Sequence, residues 1–246
     1  MSFDQAQFTI RCEWGENGVA ALAPISDAVI IVDVMSFSTA VSIATARGAR
    51  VYPFRSGDES DKIEFAKSVQ AQWAGHRGKS KYSLSPASLL TIPQGARLVL
   101  PSPNGSTLTL ATGDRPTLAG CLRNAKAVAR AALKFGNKIA VIPCGERWKQ
   151  DESLRPSFED HVGAGAIISH LPGLKSPEAL AACAAFSSAR PNLTDMLKQC
   201  SSGLELIAMG YESDIHLIAD LDADDSAPLL QEGAYTTNDQ RDRARR

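Results

Sequence analysis

An α/β fold, built as α/β/α layers around mostly parallel buried strands, is predicted by three features of this sequence. The first is Val29-Ile30-Ile31-Val32, four β-branched residues in a row that end in a carboxylate, Asp33. The second is a similar run, Ile139-Ala140-Val141-Ile142, which ends at Pro143-Cys144-Gly145. The third is rhythm, because strand patterns alternate with helical patterns, as parallel strands joined by right-handed crossovers require. Uninterrupted apolar runs of strand length read as strands covered on both faces. In such sheets ligands bind just past the carboxyl ends of the strands, where the following helices begin. Asp33 lies at that point. Ser36, Ser38 and Thr39 follow it, placed to cap the next helix or to hold an anion at its N-terminus.

The elements follow in order. Phe8 to Cys12 alternates and reads as an opening strand, and Gly15 to Leu22 as a short helix. The Ala-rich pattern after Asp33 is helical as far as Arg47-Gly48, and Arg50 to Phe54 is a short strand. From Asp58 to Trp73 the polar residues Asp61, Glu64, Lys67 and Ser68 share one helical face. Ile63, Phe65, Ala66, Val69 and Trp73 share the other, which predicts a surface helix. Gly75 to Ile92 is rich in Gly, Ser, Lys and Pro and reads as a long loop of the kind that often carries function. Ala96 to Leu100 is a strand running into Asn104-Gly105, a turn after which helical pattern resumes at once. Thr117 to Leu122 is a weak strand, and Arg123-Asn124 opens a helix that runs to Phe135-Gly136. After the strand Lys138 to Pro143 comes a polar loop. Ser157 then fits an N-cap with Asp160 three residues on, an arrangement like a capping box, and a helix is predicted from His161 to Leu171. Ser176 to Ile218 is mainly helical, and Pro228-Leu229-Leu230 is a last strand.

Composition excludes several classes. The chain has 246 residues, enough for one large α/β domain or two smaller lobes. A formal net charge of −1 and an isoelectric point near 6.4 give no bulk attraction to nucleic acid or acidic membranes. The one basic run, Arg241 to Arg246, follows a polar stretch and reads as a solvated tail. Trp14, Trp73 and Trp148 are too scattered for a base-stacking platform. No apolar run nears the ~20 residues that span a bilayer, and the first residues lack the layout of a secretion signal. Five cysteines with no C-x-x-C pair point to reduced thiols, a cytoplasmic location and no zinc site.

Three acids fall at strand-end or helix-start positions: Asp33, Glu159 and Asp160. Carboxylates converging there suit a hard cation such as Mg2+, which keeps waters and takes a few carboxylates plus substrate oxygens. Two plainer readings stand beside this one: Asp33 as a helix cap, and Glu159-Asp160 as first-turn acids favoured by the helix dipole. The turns at Ser36 to Thr39, Asn104 to Thr107 and Arg123-Asn124 each follow a strand and open a helix, so their N–H groups are suited to an anion. Arg77, between Gly75 and Gly78, is either a bidentate anion ligand or a solvated loop residue. Cys144 reads as a buried structural thiol, with a nucleophile as the competing reading. His76, His161, His170 and His216 show no ligand spacing, and His161 reads as a helix-surface residue.

Taken in order, several segments resemble the 2-phosphosulfolactate phosphatase (ComB-like) family. Val32 to Thr39 is similar to that family's D-V-L-R-A-[ST]-T turn, Ala74-Gly75-His76-Arg77-Gly78 to A-G-E-R-G, and Pro103 to Thr107 to T-N-G-T-R. Arg123 to Ala129 continues the likeness. Phe158 to Ile168 is similar to an E-D-x-x-G-A-G-A-I helix start, and Gly210 to Ile215 and Pro228 complete the order. The resemblance implies two α/β subdomains, residues 1–125 and 126–236, before a flexible tail at 237–246. It further implies Mg2+-dependent hydrolysis of 2-phospho-3-sulfolactate to sulfolactate and phosphate, on the route to coenzyme M. Asp33, Glu159 and Asp160 would then be catalytic and hold the metal, directly or through water. Ser38, Thr39, Arg77, Asn104, Gly105, Ser106, Arg123 and Asn124 would bind substrate. The attack is by water or, alternatively, by Asp33 through an aspartyl-phosphate. The expected partner is a small-molecule phosphoester, with no nucleic acid and no membrane and with a homo-oligomer left open.

Three positions depart from the pattern: Ser36 and Thr107 stand where the family has arginine, and His76 where it has glutamate. If the family's arginines grip the substrate's anionic groups, two charge-assisted contacts of about 1.5–3 kcal/mol each are absent here, roughly two to four orders of magnitude in affinity if the losses add. The departures leave an alternative, a protein that keeps the fold as an anion-binding or scaffold protein without catalysis.

Overall fold

The computed structural model describes residues 3–55 and 59–237, apart from the side chain of Glu59. Most of the tail, including Arg241 to Arg246, therefore lies outside the described residues. Strand β1 (Ile10–Cys12) and helix α1 (Gly15–Leu22) lead into β2 (Ala28–Val32), every residue of which is buried. Helix α2 (Phe37–Ala46) is buried nearly all round, which fits its lack of any polar stripe. It is followed by β3 (Arg50–Phe54), α3 (Glu59–Ser68), β4 (Gln72–Trp73) and β5 (Arg97–Pro101). Next come α4 (Gly105–Ala111), β6 (Thr117–Gly120), α5 (Ala125–Ala132) and β7 (Ile139–Pro143). A short hairpin, β8 (Glu146–Arg147) and β9 (Leu154–Arg155), precedes α6 (Phe158–Ser169) and α7 (Pro177–Ala189). Helices α8 (Leu193–Gln199), α9 (Ser201–Ala208) and α10 (Glu212–Ala219) and strands β10 (Leu229–Gln231) and β11 (Ala234–Thr236) complete the described chain.

Nine strands form one sheet in the order β1-β7-β2-β6-β10-β11-β3-β5-β4, and five of its eight pairings are parallel. The α/β class and the mostly parallel sheet are as the sequence predicts. Strands come from both sides of residue 125: β7 lies between β1 and β2, and the β10–β11 hairpin lies between β6 and β3.

Alternation along β2 explains why both faces need cover. Ile30 and Val32 pack with Val128, Val162 and Ile167 of α5 and α6, while Val29 and Ile31 pack with Val19, Leu22 and Leu108 of α1 and α4. A third cluster, including Phe37, Val41, Val51, Leu98 and Tyr235, fills the space between α2 and the far half of the sheet. Register does the rest. Val32 pairs with Gly120 of β6 and Pro143 of β7, so the three strands end level and bring Asp33, Cys121 and Cys144 to one edge.

Five local expectations need correction. The helix expected through Trp73 stops at Ser68, because Gln70 has φ +49° and Gln72-Trp73 pair with Leu98-Val99 as a strand; Asp58, its expected start, lies outside the described residues. The polar loop after Gly145 contains the β8–β9 hairpin, and the last strand has a partner, β11. Helix α6 starts at Phe158, three residues before the expected His161. No capping box forms there, because the Asp160 carboxylate bonds to two distant backbone N–H groups and leaves the Ser157 hydroxyl without a partner.

Candidate active site

The turn after β2 is shaped by its own hydroxyls. Ser38 Oγ accepts from the Asp33 N–H at 3.0 Å and donates to the Ile31 carbonyl at 3.2 Å, and Thr39 Oγ1 donates to the Val34 carbonyl at 2.9 Å. Both residues are fully buried. Their side chains are taken up by the turn's own backbone, and Ser36 makes no side-chain cap. The backbone donors at the starts of α2 and α4 point at a different anion, the carboxylate of Asp33 itself. Asp33 Oδ1 accepts from the Phe37 N–H at 3.2 Å; Oδ2 accepts from the Gly105 N–H at 2.9 Å and from Ser102 Oγ at 3.2 Å. Position 105 must be glycine for this contact. A Cβ there would lie 2.7 Å from Asp33 Oδ2 and collide with the Phe37 ring.

Helix α6 brings the second acid to the same edge. Asp160 Oδ1 accepts from the Val34 N–H at 2.7 Å and Oδ2 from the Gly145 N–H at 2.9 Å, which ties the helix to the ends of β2 and β7. Gly163 permits the approach, since a Cβ would stand 2.5 Å from Val34 Cγ2 and 3.1 Å from Val32 Cγ1. Glu159 is buried beside it and accepts a long contact from the Cys200 thiol at 3.5 Å. Burial pushes the Asp33 carboxyl above the ordinary range against three hydrogen bonds that lower it, and Glu159 adds to the rise. Burial, then Asp33 and Glu159, push Asp160 well above it.

Glu146 is a member of this group that sequence reasoning missed. Its Oε2 accepts from Asn104 Nδ2 at 2.9 Å. Burial first, then the charges of Asp33 and Glu159, lift its carboxyl to about 7, with Asn104 and Arg155 acting in the opposite direction. The signal was available, because Glu146 lies just past the end of β7 as Asp33 lies past the end of β2. Ser102, Cys200 and Asp214 were also missed, although Asp214 falls within Gly210 to Ile215, a segment that resembles the family.

Arg77 is half-buried and paired. It donates to Asp214 Oδ2 at 2.8 Å and to Ser36 Oγ at 2.8 Å, and lies 5.4 Å from the centre of the Tyr211 ring. Asp214 is fully buried and also accepts from Ser85 Oγ and the Ala87 N–H. Arg77 lines a cavity of about 860 Å³ with Trp73, Tyr211, Lys62 and Lys79. Asn104 and Gly105 stand beside the acids, as described. Three other expected ligands are engaged with the protein. Ser106 Oγ donates to the Leu100 carbonyl, Arg123 bonds the Leu217 carbonyl and Asp220, and buried Asn124 closes the turn at Cys121. His161 is half-buried against Trp14, with ring centres 5.5 Å apart. Cys144 is buried, and its thiol is raised well above the ordinary range by burial and by Asp33, Asp160 and Glu146, which makes it a poor nucleophile. Among the described residues no three His, Cys, Asp or Glu side chains are gathered closely enough to hold a metal ion alone, and no helix is long and apolar enough to cross a membrane.

Comparison with known proteins gives this geometry its setting. The family profile described as 2-phosphosulpholactate phosphatase matches residues 19–233. A probable 2-phosphosulfolactate phosphatase of Carboxydothermus hydrogenoformans is 35% identical over 217 residues, covering 84% of this chain and 88% of the relative. One from Thermosynechococcus vestitus, also named as probable, is 30% identical, covering 80% and 86%. The 2-phosphosulfolactate phosphatase of Methanothermobacter thermautotrophicus is 25% identical, covering 83% and 87%. A profile spanning most of the sequence, together with relatives matched over nearly their whole length, establishes that the chain belongs to the 2-phosphosulfolactate phosphatase family.

Proposed function

We propose that this chain hydrolyses a small anionic phosphomonoester at the Asp33–Asp160 site with Mg2+ as its cofactor, and that 2-phosphosulfolactate, the compound in its relatives' names, is the first substrate to test. The observation that carries the reading is electrostatic. Asp33, Glu146, Glu159 and Asp160 act on one another in surroundings that raise three of their carboxyls. Of the nearby cations, Arg155 offsets the rise at Glu146, and Arg77, itself paired with Asp214, also interacts with Asp33. Like charges gathered in such a place repel by roughly a few kcal/mol, and a phosphate dianion would add to the repulsion. A hard dication answers both problems.

The donor set fits that ion. Mg2+ is commonly held by one or two carboxylates, with waters and substrate phosphate completing its octahedron, so a ready-made cage of three side chains is not required. Asp33, Glu159 and Asp160 would hold it, directly or through water. When bound, Mg2+ supplies charge to the phosphoryl oxygens and acidifies a water. The protein's own part is positioning. Asp33 is fixed by three donors and Asp160 by two, so neither reorganises during turnover. Arg77 offers a guanidinium to the anionic end of the substrate from its cavity.

A second reading, an anion binder without catalysis, is favoured by Ser36, whose side chain is buried against Arg77 where relatives are expected to carry arginine. Phosphate release from a panel of small phosphomonoesters, with Mg2+ and after chelation, separates the two. Metal-dependent release from any member supports the enzyme. No release from any member, with phosphate still bound, overturns it.

A further inference from the structure

Glu146 differs from the other acids of the site in exposure and in freedom. Asp33, Glu159 and Asp160 are 6%, 2% and 3% exposed, and both oxygens of Asp33 and of Asp160 accept N–H or O–H donors. Glu146 is half-buried, and only its Oε2 accepts a hydrogen bond among the described residues, leaving Oε1 free to act. With Trp14, Asn104, Cys144 and Leu154 it lines a cavity of about 200 Å³. The turn Asn104-Gly105 serves both carboxylates, since the Gly105 N–H goes to Asp33 and the Asn104 side-chain amide goes to Glu146. One two-residue turn thus anchors the acid at the sheet edge and the acid facing the cavity.

We propose that Glu146 is the proton donor to the leaving-group oxygen, with the cavity beside Trp14 receiving the departing alcohol. This rests on the phosphatase reading above. In the step, water forms a new P–O bond and the bond from phosphorus to the bridging oxygen breaks. Its electron pair stays on that oxygen, which takes the proton from the Glu146 carboxyl and leaves as the alcohol. The proton lost by the water passes to a carboxylate of the acid group, and Glu146 is reprotonated from solvent. The position of Glu146 suits the role: burial favours its protonated form, while Arg155, its partner across the β8–β9 hairpin, opposes it.

The test compares the wild-type protein with Glu146→Gln in Mg2+ on two substrates. One is p-nitrophenyl phosphate, whose leaving group needs no proton; the other is an alkyl phosphomonoester such as 2-phosphosulfolactate. Glutamine keeps an oxygen for the Asn104 amide, so the turn is preserved. The proposal expects kcat for the alkyl ester to fall at least ~30-fold more than kcat for the aryl ester, within the ~100–10,000-fold span of general acid catalysis. Equal losses on both esters would overturn the proton-donor role and leave the phosphatase reading standing. Wild-type protein that cleaves neither ester would overturn both.

Discussion

The carboxylate of Asp160 accepts the backbone N–H of Val34 at 2.7 Å, across 126 residues of sequence. With its other oxygen on Gly145, this one side chain fastens the start of α6 to the ends of two parallel strands. Asp160 is thus an architectural residue of the site as well as a proposed metal ligand.

Replacing Asp160 separates those roles. Asp160→Ala leaves two buried N–H groups without acceptors, at about 1–3 kcal/mol each, whereas Asp160→Asn keeps one acceptor and removes repulsion with Asp33. Urea unfolding should therefore rank the alanine variant well below the asparagine variant. Phosphate release should fall in both, by about 100-fold or more for asparagine, the scale on which single preorganised charge-stabilising groups act.

Gly105→Ala tests the contact with Asp33. The new methyl group would sit 2.7 Å from Asp33 Oδ2, and overpacking of this kind costs about 1–3 kcal/mol. The expected result is a lower unfolding midpoint and a kcat loss exceeding any change in KM, because the displaced group is a carboxylate of the site and not a substrate contact.

Much of this arrangement was legible in the sequence. The β-branched run before Asp33 and its counterpart before Cys144 required a doubly covered parallel sheet, and register alone brings their ends level. The acids at 33, 159 and 160 were identifiable because residues past buried strands and at helix starts meet at that edge. The roles of Ser38, Thr39, Ser106 and Asn124 were not legible. A hydroxyl or amide near a strand end suits a ligand and the chain's own backbone equally, and here the backbone takes all four. Glu146 was obscured by a polar loop whose hairpin has only two residues per strand, too short for any periodicity to show. The pairing of Arg77 with Asp214 spans 137 residues and left no local trace.

Stability should depend on pH in a direction opposite to that of an ordinary salt-bridged acid. Burial raises the carboxyls of Asp33, Asp160 and Glu146 in the folded protein. A group of this kind binds its proton more tightly when folded, so its contribution is fully present below its unfolded value and is lost as pH rises through its folded value. For Glu146 that window runs from 4.5 to about 7. Metal-free protein should have a higher Tm near pH 5 than near pH 8, and Mg2+ should raise Tm more at the alkaline end, where the carboxylates are ionised. A flat profile in metal-free buffer would contradict this.

Arg77 holds a fully buried carboxylate, and its loss should be costly. Arg77→Ala should destabilise by roughly 3 kcal/mol, the low end for a broken buried pair, because Ser85 and Ala87 continue to donate to Asp214. Arg77→Lys keeps the charge but loses the forked reach to both Asp214 and Ser36. It should recover most of the stability in urea titrations while KM for the anionic substrate stays raised.

The most direct measurement is the position of bound Mn2+, an octahedral oxygen-seeking stand-in for Mg2+, located by anomalous scattering in crystals of the intact chain. An anomalous peak at ~2–2.3 Å from a carboxylate oxygen of Asp33, Glu159 or Asp160, or one water away from it, is the result expected. Crystals saturated with Mn2+ that show no density beside those three carboxylates, from protein that still releases phosphate, would contradict the account.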